Sequence, residues 1–372
     1  MANLVSNNSG SGTNKSVNSD SGTKSTSSSS GKLPTINKAD SRANLDKINS
    51  SSSDGNLTVS QLPLGISNVF KMQDYTKPFE SLVEKIPDVG VIKFFPPTSI
   101  KNDNRVCVVI PGACHGSDSY DYLGARLAND GNLVFVLDTR GLELDEDASK
   151  VKGIKYNKLV GRVSEFLEIL KKEKGFKDLP LTLIGHSIGA QLAIDVASNN
   201  SNKQDLQLLL LSPPGNLGNI NGFLRAAKRD AGSTIKAMVS NDIYKLYDST
   251  NKTSKVFYSE ECSDKFPERV QANFSSLSNY PASTIYQGLT SRASSIQGLQ
   301  KSGTDIHIFI GGKDNAYGAN SILGLAQKTG VKSTVYENDG HNIHDDINRD
   351  IVIGDILSQM HTNSLAINKF LR

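Results

Sequence analysis

Leu181-Thr-Leu-Ile-Gly-His-Ser-Ile-Gly-Ala190 is the stretch that decides how this chain reads. Leu181–Ile184 is apolar enough to be a buried strand, and Ile188–Ser198, rich in small residues, reads as a helix. Between them the chain must turn from strand to helix across Gly185, His186, Ser187, Ile188 and Gly189. A bare Gly-x-Ser-x-Gly is a weak signal, because both residue types are common. On a sharp strand-to-helix turn it has a mechanical meaning. Gly185 and Gly189 remove side chains that would clash, and Ser187 is held at a strained backbone position with its hydroxyl projecting. The helix starting at Ile188 points unpaired N–H groups toward that hydroxyl, where negative charge would develop. A serine that merely caps a helix would leave the two glycines without a reason.

Working outward, short β-branched runs alternate with helical stretches. Gly90–Phe95, Arg105–Ile110, Asn132–Leu137, Leu206–Leu211 and Ile306–Ile310 read as strands, and another runs through Thr334. Ser117–Asn129 has helical spacing. Leu159, Val163, Phe166 and Leu170 line one helix face, and Ile347–Met360 reads as a closing helix. Continuous apolar strands separated by helices predict an α/β architecture, a mostly parallel sheet with helices on both faces. One stretch breaks the alternation. Residues 215–302 carry no strong strand, and Phe223–Lys228, Ile243–Tyr247, Phe266–Leu277 and Tyr286–Leu299 look helical. They predict a mainly helical insertion on the sheet.

With its strand, Gly185-x-Ser187-x-Gly189 turn and helix, the chain from about residue 80 onward resembles the α/β-hydrolase family. The resemblance implies a serine hydrolase of the esterase, lipase or thioesterase kind, with residues 215–302 as a cap. It also implies the order nucleophile, acid, base, each at the end of a strand. Ile306-His-Ile-Phe-Ile310 runs into Gly-Gly-Lys-Asp, which makes Asp314 the acid. Asp138, after the strand ending at Leu137, is its rival, at a position usually structural in the family. Thr334-Val-Tyr-Glu-Asn-Asp-Gly-His then makes His341 the base, with Gly340 letting the loop bend. His344 is the competitor. His341-x-x-His344-Asp345 also reads as a set of metal ligands, but that needs a third ligand in place, and His341 fits the more specific role. The loop Pro111-Gly-Ala-Cys-His115 resembles the family's oxyanion loop. It implies that the N–H groups of Ala113 and Ile188 form the oxyanion hole, Ala113 against Cys114 being open by one residue. Cys114, His115, His186 and His344 are candidates to line the pocket. Serine at the elbow argues against the dehalogenases and epoxide hydrolases, which use Asp there. No metal or organic cofactor is implied.

The rest of the composition narrows the setting. The chain has 372 residues, with 41 Lys and Arg against 38 Asp and Glu, so a strongly basic nucleic-acid binder is excluded as the default. No stretch approaches the ~20 apolar residues of a transmembrane segment, and the start shows no secretory signal pattern. Three cysteines, 107, 114 and 262, are too few for a disulfide framework and fit a reducing, cytoplasmic compartment. Residues 1–60 hold 17 Ser and 9 Asn and no aromatic residue. With the residue that follows, they predict a disordered tail over 1–61 and place the hydrolase domain at 62–372. Ser-rich N-termini of this kind also resemble those of proteins delivered by bacterial type III secretion, an alternative to a cytoplasmic life. The expected partner is a small-molecule or acyl (lipid) ester substrate. Phe223, Leu224, Phe257, Phe266, Phe274, Tyr280 and Tyr286 could cover an acyl chain or simply pack the cap. A non-catalytic binding module on the same fold is the alternative function, although such modules commonly lose a triad residue. Nothing in the sequence speaks to oligomeric state.

Overall fold

Side chains alternate across the central strands, and both sides are apolar. On β3 (Val106–Ile110), Val106, Val108 and Ile110 join one core, while Cys107 and Val109 join another. The same split divides Leu208 and Leu210 from Leu209 and Leu211 on β6 (Leu206–Leu211). A strand with two buried faces has no reason to alternate apolar with polar, so its sequence reads as a continuous hydrophobic run. Burying each of these leucines is worth roughly 1.5–3 kcal/mol.

The computed structural model describes residues 81–86, 89–97, 105–113, 115–138, 155–172, 179–199, 206–215, 256–270, 287–288 and 293–370. These include eight strands: β1 (Leu82–Ile86), β2 (Gly90–Phe95), β3, β4 (Leu133–Leu137), β5 (Leu181–His186), β6, β7 (Asp305–Gly311) and β8 (Lys332–Tyr336). They form one sheet in the order β1-β2-β4-β3-β5-β6-β7-β8. The β1–β2 and β2–β4 pairs are antiparallel, and all the others are parallel. One face is covered by α2 (Tyr156–Lys172), α3 (Ile188–Asn199), α5 (Ala293–Lys301) and α6 (Ala319–Thr329). The other is covered by α1 (Asp121–Asn129) and α7 (Arg349–Phe370), and α4 (Glu260–Lys265) lies between β6 and α5 in sequence. Among the described residues no helix is long and apolar enough to cross a membrane.

Several boundaries differ from the sequence reading. The stretch 117–129 is a 3-10 turn, Ser117–Tyr120, followed by α1. The last helix starts at Arg349, two residues after the expected Ile347, and residues 341–348, His344 among them, are a run of turns. Strand β1 and helix α6 have no counterpart in the sequence reading. β1 is half-exposed at the sheet edge, with Val83 50% exposed, so it lacks a continuous apolar signature. The tail 1–61, Cys114 and most of the insertion 215–302, including Phe223–Lys228 and Ile243–Tyr247, lie outside the described residues. Of the insertion, residues 215, 256–270, 287–288 and 293–302 are described. α4 there precedes Phe266 and is absent from the sequence reading, whereas residues 267–270, at the start of the helix expected from Phe266, are helical.

The N-terminal ends of the parallel strands carry a polar ladder. Arg105 Nε donates to Thr182 Oγ1 (2.8 Å), Thr182 Oγ1 to Gln207 Oε1 (3.3 Å), and Gln207 Nε2 to Asp305 Oδ2 (2.9 Å). Most buried polar groups are bonded in this way, and Ser187, Asp314 and His341 lie beyond the opposite, C-terminal ends of β5, β7 and β8.

Candidate active site

Ser187 sits between β5 and α3 with φ of 55°, in the left-handed region. Among the described non-glycine residues only Ser212, at the end of β6, shares that sign. Such a conformation costs on the order of 1–3 kcal/mol and persists only where the surroundings impose it. Here the surroundings are backbone. A Cβ on Gly185 would meet Ala190 Cα and the Gly189 carbonyl at 2.5 Å, and one on Gly189 would meet the Ile110 carbonyl at 2.1 Å. Helix α3 therefore leaves β5 directly against the end of β3. The Ser187 amide donates to the Leu211 carbonyl (2.9 Å), which ties the turn to β6 as well.

Asp314 follows β7 and His341 follows β8. His341 Nδ1 lies 2.8 Å from Asp314 Oδ2, and both side chains are buried. A carboxylate can only accept, so Nδ1 carries the proton and Nε2 is left as the acceptor of a neutral ring. The other carboxylate oxygen, Oδ1, accepts from the amides of Ala316 (2.8 Å) and Tyr317 (2.9 Å). That bond pattern folds the turn after Asp314 and delivers Tyr317 to the elbow, where its hydroxyl is 3.0 Å from Ser187 Oγ. Among the described residues this is the side-chain bond that Ser187 makes. The Tyr317 ring also stands edge-on to His341, with centroids 4.8 Å apart at 87°. Burial raises the Tyr317 phenol above its ordinary value, so it stays protonated. The rival acid, Asp138, lies at the end of β4, where its Oδ2 faces the Ser117 amide at 3.4 Å.

The loop after β3 is tied to both other parts. The Gly112 amide donates to Tyr120 Oη (2.8 Å), Tyr120 Oη lies 2.7 Å from His186 Nδ1, and His186 Nε2 lies 3.2 Å from the His341 carbonyl. The carbonyl can only accept, so His186 donates from Nε2 and accepts the Tyr120 proton at Nδ1. Burial, followed by the nearby imidazoles of His344, His341 and His115, holds His186 well below the usual histidine value and keeps the ring neutral. This chain joins the loop after β3, the elbow and the base loop through buried groups. With Gly112 N–H engaged by Tyr120, Ala113 offers the next amide on that loop. Ile188 opens α3, so its amide has no partner within the helix.

The histidines named as pocket candidates are packed together. His186 has both nitrogens bonded within the protein and has no capacity left for a substrate. His344 stacks on Tyr120 (4.5 Å, 3°) and hydrogen-bonds the Ser119 backbone, and burial pushes its pKa down to about 3. Its Nδ1 has no partner. His115 Nδ1 lies 3.2 Å from Ser119 Oγ. Of the two histidines after Gly340, it is His341 that meets Asp314.

The insertion reaches the site through its described parts. Asn342 N donates to the Phe257 carbonyl (2.8 Å), and the Phe257 ring lies 5.8 Å from that of His341. Asp346 binds the amides of Ser259 (2.8 Å), Gly340 (2.9 Å) and Ile347 (2.7 Å), so one carboxylate fastens the base loop to the insertion. A Cβ on Gly288 would meet Ile188 Cγ2 at 2.6 Å, which brings residue 288 onto the elbow. Tyr317, Tyr120 and Asp346 escape the sequence reading. Tyr317 alone left a trace, as an aromatic three residues after the acid.

A mostly parallel eight-stranded sheet, with Ser187 at a strained strand-to-helix turn and the Asp314–His341 pair beyond the later strands, defines an α/β-hydrolase. Residues 101–348 match the serine aminopeptidase S33 family, and the chain belongs to that family of hydrolases. No curated protein matches the sequence. Solved structures share the fold. A thermostable carboxyl esterase from Bacillus coagulans is 19% identical, with a TM-score of 0.55 over 77% of this chain and 99% of that one. A monoglyceride lipase from Saccharomyces cerevisiae is 14% identical, with a TM-score of 0.54 over 78% and 97%. An esterase from Exiguobacterium antarcticum is 16% identical, with a TM-score of 0.51 over 75% and 98%.

Proposed function

We propose that the protein is a serine hydrolase that cleaves a carboxylic ester or thioester through an acyl-enzyme on Ser187. The observation that carries this reading is the strained Ser187 turn together with the 2.8 Å His341–Asp314 pair. His341 Nε2 takes the Ser187 proton as Oγ attacks the acyl carbon, and then gives it to the leaving group. Asp314 holds the ring in the tautomer that makes this possible and stabilises its charged form. The Ala113 and Ile188 amides hold the oxyanion, an arrangement typically worth ~3–4 kcal/mol per donor. Water then attacks the ester and the same histidine returns the proton. The reaction so written uses no metal or organic cofactor. The activities of the structural relatives, a carboxyl esterase and a monoglyceride lipase, favour an ester substrate. Residues 215–302 serve as the cap whose inner surface selects the acyl group, in keeping with the contacts of Phe257 and Gly288.

The test is labelling with a fluorophosphonate. Wild type is expected to be labelled and Ser187→Ala is not. Equal labelling of the two, or no labelling of folded wild type, removes the assignment. A profile of kcat/KM against acyl chain length then identifies the substrate class.

A further inference from the structure

We propose that Tyr317 is a further catalytic residue, whose phenol donates a hydrogen bond to the departing group as the bond to the acyl carbon breaks. The proposal rests on the acyl-enzyme reading of Ser187 and adds to it a group that this reading does not use. Three observations point to it. The Tyr317 hydroxyl is 3.0 Å from Ser187 Oγ, in contact with the reacting atom. Its position is built, because Asp314 binds His341 with one oxygen and the Tyr317 amide with the other. The ring also stands edge-on to His341, so the phenol approaches Oγ from the side of the base, the side on which the leaving group must collect its proton.

The chemistry balances without consuming the phenol. Either hydroxyl can donate across the 3.0 Å contact; in the reactive arrangement proposed, Ser187 turns its proton to His341 and Tyr317 donates to Oγ. As Oγ bonds to the acyl carbon, its proton passes to His341 Nε2. Oγ and the leaving atom are then bonded to the same carbon, so a donor that reaches one needs only a small shift to reach the other. When the carbon–leaving-atom bond breaks, its electron pair goes to the leaving atom and the proton comes from His341. Tyr317 keeps its own proton throughout, as a buried phenol of raised pKa would. It acts by stabilising charge that develops in the transition state, where a fixed donor in a site shielded from water is most effective. The benefit is largest for poor leaving groups. Aliphatic alcohols need this help, whereas nitrophenolate, already stable as an anion, needs little.

The experiment compares two esters of one acyl group, a nitrophenyl ester and an alkyl ester, on wild type and Tyr317→Phe. The loss of one donor aimed at developing charge should lower kcat/KM for the alkyl ester by about 30-fold or more, on the order of other such donors. For the nitrophenyl ester the loss should stay within about threefold. Equal losses for both esters, no loss, or a gain would overturn the proposal, a gain meaning that Tyr317 only covers the nucleophile. Ser187-dependent fluorophosphonate labelling of Tyr317→Phe separates the two readings. Labelling with unequal ester losses supports both, and labelling with equal losses sinks only the role of Tyr317. Absence of labelling in wild type sinks the Ser187 reading first. A second variant, with 3,5-difluorotyrosine at 317, keeps the shape and strengthens the donor, so it carries the test if Tyr317→Phe does not fold. It should narrow the gap in kcat/KM between the two esters, and a wider gap would overturn the proposal.

Discussion

The two halves of the candidate active site are built by different physics. The elbow half is made of backbone in contact with backbone. Gly189 leaves no room between α3 and the Ile110 carbonyl, and Ser187 takes its left-handed conformation because three strands and a helix close around it. The acid–base half is made of side-chain hydrogen bonds between loops. Asp314 holds His341 and Tyr317, and Asp346 holds Gly340 and Ser259. A steric half should fail as a whole when one atom is added. A hydrogen-bonded half should lose function in steps as single groups are removed.

The largest effect should follow a methyl group at Gly189. Gly189→Ala puts a Cβ 2.1 Å from one backbone carbonyl oxygen and 2.5 Å from another, and neither can move aside cheaply. A loss of about 3 kcal/mol or more is expected, at the upper end of overpacking costs. Gly161→Ala, on α2 with no atom within 4 Å of the added carbon, is the control and should gain about 0.5–1 kcal/mol from helix propensity. Thermal midpoints of the two variants measure the contrast, and similar midpoints would break the steric account of the elbow.

In the other half the effects should fall on turnover. His341→Ala should lower kcat by about 10³-fold or more while the protein remains folded. His344→Ala removes a ring stacked on Tyr120 and should cost about tenfold or less in kcat, through positioning. Steady-state kinetics on one ester decide between them. Equal losses would mean that the two histidines share a role, and the separation drawn here between base and support would fall.

The smallest effect concerns pH. Asp339 lies in the turn after β8 and binds the amide and side chain of Asn348 (3.0 and 3.2 Å). Burial outweighs those donors and pushes its carboxyl up to about 6 from 3.8. The folded state therefore favours the protonated form. The stability this carboxyl contributes is fully present below its unfolded value near 3.8 and is lost as pH rises through about 6. Asp339→Asn cannot ionise, so its thermal midpoint relative to wild type should improve between about pH 4 and pH 8. A difference that stays flat or declines over that range would show that ionised Asp339 is a net support of the base loop.

The same contrast explains how much could be read beforehand. The central strands stood out as apolar runs because both of their faces are buried, as the split of Val106–Ile110 between two cores shows. The edges did not. β1 and β8 each leave part of a face to solvent, and Val335 on β8 is 36% exposed, so their patterns are diluted. The closing helix reads from Ile347, but α7 starts only at Arg349, after turns that Asp346 and Asp339 tie to Ile347 and Asn348. Within the insertion the helix expected from Phe266 begins at residue 267, while α4 before it leaves no periodic signal in six residues.

By itself the sequence determined the strand-to-helix turn at Ser187, the α/β layering, and the order in which Asp314 and His341 arrive at strand ends. These features depend on local sterics and on the period of burial, which neighbouring residues encode. Only the tertiary structure decided which histidine meets Asp314, that Tyr317 reaches Ser187, and that Tyr120 and His186 join the oxyanion loop to the base loop. Those outcomes depend on where loops distant in sequence close on one another. A hydrogen bond across such a separation leaves no periodic trace, because either partner alone is an ordinary polar residue in a turn.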